Sequence, residues 1–183
     1  MILTFSWLIE SIFIGFGFYS IFYSLSSKRL SFWQKPFSKR FDSLSFLLFS
    51  LAGFLSFYSW FYELNQTVSA LSEDGLYERI FGPNWLFYWI HPVIYMSLSQ
   101  LFWIKKWRKN IFLRIGIGLI LIIGIERVIQ VVLSYHRDYL PSSWLIFHGD
   151  ILSNWILSIF SFVALVLVFQ MMMSIFQQPR SLK

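Results

Sequence analysis

Apolar runs long enough to cross a bilayer recur along this chain, interrupted by short polar stretches. They predict spans at about 3–25, 44–62, 84–104, 112–134 and 151–173, each close to the ~20 residues that a hydrocarbon core requires. Projected at 100° per residue, the polar positions inside these runs fall into stripes. On the third span Asn84, Tyr88, His91, Tyr95 and Ser99 occupy an arc of about 80°. On the fourth, Glu126, Arg127, Gln130, Ser134 and Arg137 share about 100°, with Ile120, Leu121, Ile123 and Ile125 over much of the remaining surface. The first aligns Ser6, Glu10, Gly17 and Ser24, the second Ser45, Ala52, Ser56, Ser59 and Glu63, and the fifth Asp150, Asn154 and Ser161. The fold class expected is all-α: a polytopic transmembrane bundle of about five helices forming one domain over residues 1–183.

Composition agrees. The chain is 57% hydrophobic and 13% charged over 183 residues, so spans and connections leave no room for a separate soluble domain. Met1-Ile2-Leu3-Thr4-Phe5 carries no basic lead-in, and no small-residue cleavage pattern follows, so the first run is read as a retained span. With no cysteine, thiol nucleophiles, disulfides, iron–sulfur clusters and thiolate metal sites are excluded.

Charge then orients the spans. Twelve of the fifteen Lys and Arg residues fall in 26–43, 105–114 and the C-terminal tail, and eight of the nine acids lie outside those segments. The positive-inside rule places the basic segments in the cytoplasm, giving N-out and C-in in a cell membrane, in the manner of a bacterial inner membrane. The net charge of +6 therefore points to anionic lipid headgroups as partner and not to nucleic acid. Trp85, Trp89, Trp103, Trp107, Trp144 and Trp155 lie near the expected span ends, where they anchor the chain at the headgroups. Asn65-Gln66-Thr67 matches a glycosylation acceptor, read as coincidence because it lies so close to a span end.

The orientation brings ionisable groups to one level. Glu10, His91, Glu126 and Arg127 fall about seven or eight residues below the outer surface, roughly 10–13 Å. Glu63, His148 and Asp150 mark the outer rim. Gly, Ala and Ser positions in the stripes are read as packing. Ionisable groups in hydrocarbon cost at least ~2.5–3.5 kcal/mol each, so this layer is either a set of pairs fixing helix register or the lining of an outward-facing polar cavity.

For a cavity, Arg127 suits a lipid headgroup or small anionic ligand, flanked by Glu10, Tyr95 and Gln130, and Glu126, His91 or Asp150 would move protons if the site is catalytic. No cofactor is specified by a motif. His91 with His148 are at depths that could hold a b-type haem, and His136, His148 and Asp150 could hold another metal. Pro92 is expected to loosen the third helix beside His91. A further reading is a membrane subunit or assembly factor whose stripes meet other subunits.

Gly124-Ile125-Glu126-Arg127, followed by Trp144 and Phe147-His148-Gly149-Asp150, resembles the last two helices of lipoprotein signal peptidases, an acid-Arg pair ending one span and an Asp opening the next. The resemblance covers about a quarter of the chain and implies intramembrane aspartyl hydrolysis, with Asp150 opposite a second acid, nearest Asp138. The family's Asn-Gly-Ala-Ala-Phe-like stretch and early Asp-Lys signature are missing, and Tyr135 stands where its next acid would follow.

Overall fold

The computed structural model describes residues 2–26, 35–70, 81, 85–124 and 150–176. Six helices and no strand occur among them. They are α1 (Ile2–Ser26), α2 (Pro36–Ala70), α3 (Trp85–Leu101), the short α4 (Lys105–Arg108), α5 (Ile111–Ile123) and α6 (Asp150–Phe176). Within α1, α2 and α6, the stretches Phe5–Ser26, Pro36–Gln66 and Ile151–Ile175 are long and apolar enough to cross a membrane, which makes the chain compatible with an integral membrane protein.

The helix ends follow local chemistry. Pro36 occupies the first position of α2, where a missing N–H costs no helical hydrogen bond. Asn110 caps α5, its side-chain carbonyl accepting from the N–H groups of Phe112 (3.1 Å) and Leu113 (3.3 Å). Gly124 ends the same helix at φ 82°, a backbone that a residue with a Cβ rarely adopts. α3 runs through Pro92, which is fully buried.

Three expectations about boundaries change. α2 begins at Pro36 and continues to Ala70, so Lys39, Arg40 and Asp42 belong to a helix and not to a loop. Asn65 lies inside that helix as well. α5 stops at Ile123, short of the expected end at 134, because Gly124 turns the backbone out of the helix. Its 13 residues span only ~20 Å. The phase of its stripe therefore cannot be carried past Gly124, and residues 125–149 lie outside the described residues.

α1 is the central helix. It packs against α2, α5 and α6, while α2 also meets α3 and α6. The buried share of the apolar window falls from 61% in α1 to 17% in α6, so α6 turns most of its surface outward. Phe16 of α1 is the hub of the core. Its ring stacks on Phe49 at 4.1 Å and meets Phe46, Phe102 and Phe162 at 5.5, 5.7 and 6.2 Å. Such aromatic contacts add to dispersion packing, which holds helices together where lipid removes most of the hydrophobic drive.

Close approach of α1 to α5 and to α6 requires glycine. A Cβ on Gly17 would lie 2.9 Å from the carbonyl oxygen of Gly118, and one on Gly118 would lie 2.9 Å from that of Gly17, so α1 and α5 cross backbone to backbone. Gly15 makes the matching approach to α6, where a Cβ would meet Phe162 and the carbonyl of Ser158. Phe22, Phe54, Phe112, Phe160, Met171 and Ile175 are exposed, a distribution that suits hydrocarbon around the bundle and not water.

Candidate functional site

A cavity of about 410 Å³ opens between the N-terminal part of α1, the C-terminal part of α2, α3, the end of α5 and the start of α6. Its size lies in the range of small-molecule sites. α1 contributes Ser6, Ile9, Glu10 and Phe13. α2 contributes Ser56, Ser59, Trp60 and Glu63, whose spacing of three, four and seven residues places them on one face. Ile151, Asn154 and Trp155 repeat the three- and four-residue spacing on α6, and α5 offers its last residues and Gly124.

Aromatic packing shapes the walls. Tyr95 of α3 is buried with its ring 4.7 Å from that of Phe13, and Trp60 packs on Trp89 at 4.9 Å. At the rim the Trp7 indole N–H donates to Asn154 Oδ1 at 3.3 Å, joining α1 to α6. Deeper between the same helices, the hydroxyls of Ser11 and Ser158 meet at 3.5 Å. The wall thus combines two carboxylates, hydroxyls and a side-chain amide with aromatic and aliphatic surface, a set able to hold an amphiphile by both its ends.

Of the residues singled out from the sequence, Glu10 and Tyr95 line this cavity together, joined by Glu63. Ser6, Ser56, Ser59 and Asn154, which the helical stripes aligned, line it too. His91 lies on α3 one turn before Tyr95 and Asp150 opens α6 next to Ile151, but the side chains of both fall outside the described residues. Glu126, Arg127, Gln130, His136, Asp138 and His148 also lie outside them, and with them the expected haem pair and the segment resembling signal peptidases. Among the described residues no group of three His, Asp or Glu side chains could hold a metal ion.

A second polar centre lies at the opposite end of the bundle. Arg114, counted from the sequence as a loop charge, is 3% exposed inside the first turns of α5, and its Nη2 meets Asp42 Oδ1 of α2 at 2.5 Å. Tyr19 of α1 donates its hydroxyl proton to the same oxygen at 2.9 Å. The guanidinium lies 3.9 Å over the Tyr23 ring and 4.7 Å from that of Phe46, and Ser20 donates to the Arg114 carbonyl at 3.2 Å. Three helices are tied here by one ion pair, which carries its buried charge through hydrogen bonds and ring faces. Arg114 Nε is buried and has no partner among the described residues. The signal available in the sequence was Asp42, the one acid inside the basic segments.

α2 and α3 are joined separately. Ser50 donates to Gln100 Oε1 at 2.9 Å, the Gln100 amide donates to the Ser50 carbonyl at 3.2 Å, and the Trp103 indole N–H reaches Ser50 Oγ at 2.8 Å. Close by, a Cβ on Gly53 would overlap the Ser99 hydroxyl.

Compared with family models, curated proteins and solved structures, the chain matches none.

Proposed function

We propose that this chain is a multi-pass cell-membrane protein, N-out and C-in, whose cavity at the Glu10 end opens to the outer leaflet and binds the polar end of a lipid or small amphiphile. The observation that supports this reading is the cavity wall itself. Glu10, Glu63, Ser56, Ser59 and Asn154 offer hydrogen-bonding groups beside Trp60, Trp155 and Phe13, as the two ends of an amphiphile require.

In this reading Arg127 supplies the positive charge for a phosphate or carboxylate and Gln130 a further hydrogen-bonding group. Glu10 and Tyr95 line the cavity, and His91 and Glu126 are the groups to move a proton. A chain entering beside α6 would leave its tail against the exposed apolar face of that helix.

Mass spectrometry of molecules retained by the purified protein tests the proposal. The expected result is a defined lipid or amphiphile in the parent protein, lost from Ser56→Phe/Ser59→Phe, which fill the cavity, and reduced in Arg127→Gln. Retention of the same molecule at the same level by the folded, filled variant would overturn it. Reporter fusions after residues 70 and 140 should be active outside and one after residue 108 inside; the reverse pattern would move the cavity to the cytoplasmic leaflet.

A further inference from the structure

The basic residues at the Arg114 end divide into two populations, which charge counting along the sequence treats alike. Arg114 is buried on Asp42. Arg108 is turned inward too, its guanidinium 4.5 Å over the Phe46 ring and its Nε donating to the carbonyl of Phe102 at 3.2 Å. Lys39 and Arg40 on the first turns of α2, and Lys105, Lys106 and Lys109 on and beside α4, are exposed. None of these five has a side-chain partner among the described residues. Asp42 is the one acid described at this end, and Arg114 already engages it.

The two groups of exposed cations lie on segments linked by the contact of Arg108 with Phe46. Arg108 fastens α4 onto Phe46, and Lys39 lies seven residues before Phe46 on the same face of α2, about 10 Å along the axis. Close to them along the chain, Phe37, Trp103, Ile104 and Phe112 are exposed large apolar side chains, Phe112 at 88%. Cations alternating with exposed aromatic and aliphatic groups at the end of apolar helices match the headgroup layer, where phosphates meet the upper hydrocarbon.

We propose that Lys39, Arg40, Lys105, Lys106 and Lys109 form a docking rim for anionic phospholipid headgroups, with Arg108 and Arg114 holding the rim in place from within. Charge complementarity selects a headgroup with net negative charge over a zwitterionic one. The apolar side chains interleaved in the rim select a lipid over a soluble polyanion. The proposal rests on the membrane reading of the chain and not on the cavity at the other end.

The test is reconstitution in nanodiscs of phosphatidylglycerol and phosphatidylcholine in equal amounts, with retained lipids counted by native mass spectrometry at low and high salt. The parent protein is expected to retain phosphatidylglycerol preferentially. Lys105→Gln/Lys106→Gln/Lys109→Gln should cut that preference by at least about fivefold at low salt, an effect that shrinks as salt rises. These positions are exposed, so thermal unfolding in phosphatidylcholine alone should stay unchanged and shows that the variant folds. No preference in the parent, or an equal preference in the folded variant, overturns the proposal. Displacement of the anionic lipid by a short RNA at comparable concentration would also overturn it, in favour of a general polyanion surface. The Ser56→Phe/Ser59→Phe variant should keep the preference, so failure of the cavity reading and failure of this one give different patterns.

Discussion

The two ends of the bundle handle polar side chains in opposite ways. At the Arg114 end one carboxylate receives both a guanidinium and a phenol, and the guanidinium is covered by two rings. At the Glu10 end, carboxylates, hydroxyls and an amide are spread around about 410 Å³ of space. Both draw on α1, α2 and α5, the Glu10 end with α3 and α6 as well, and the difference is the space beside the polar groups. Groups closed into direct contact fix how helices sit, whereas polar groups that border open space leave room for something else beside them. A buried charge is thus a poor guide to a site unless the space beside it is known.

The sharpest way to break this contrast is Asp42→Ala. It leaves Arg114 buried without its carboxylate and is expected to destabilise the protein by about 3–5 kcal/mol, read by thermal unfolding in detergent. Replacing both partners by leucine should restore much of that loss, since an apolar pair needs no desolvated charge. Recovery would identify the pair as a packing device; no recovery would show that the ion pair itself stabilises the fold.

Gly118→Val is next. The added side chain meets the Gly17 carbonyl, a backbone atom that cannot swing aside, so a loss of about 1–3 kcal/mol is expected by the same measurement. Trp7→Phe removes one hydrogen bond between α1 and α6 and should cost about 0.6 kcal/mol, the average for interhelical bonds in a membrane protein. Glu10→Gln and Glu63→Gln should change stability least, within about 0.5 kcal/mol, because both side chains are exposed to the cavity. Large destabilisation by either glutamine would make the Glu10 end as structural as the other, and the comparison would fail.

What could be read from the sequence divides along the same line. The apolar runs located α1, α2, α3 and α6, because a lipid-facing helix needs an unbroken stretch and little else. Of the residues that the depth argument set at one level or at the outer rim, Glu10 and Glu63 line the cavity, with Tyr95 of the third-span stripe, whereas Glu126 and Arg127 lie outside the described residues. Arg114 was misplaced because a basic residue at a span end looks solvated until its partner is known. That partner, Asp42, stands 72 positions away. Gly124 was missed for a related reason: projection at a constant angle assumes the helix continues, and one glycine at φ 82° ends it. The crossing of Gly17 with Gly118 was equally silent, since the glycine stripe of one helix does not say which other helix it meets.

The central position of α1 has a consequence for the order of assembly. The Trp7–Asn154 bond joins residues 147 positions apart, and the Gly15 face of the same helix waits for Phe162. During synthesis α1 is therefore made long before its neighbour on that side exists. With Glu10, Ser11 and Trp7 still lacking α6, the early chain is a bundle with an open seam. It closes only when translation has passed residue 162, so the first described helix to be made is among the last to be enclosed.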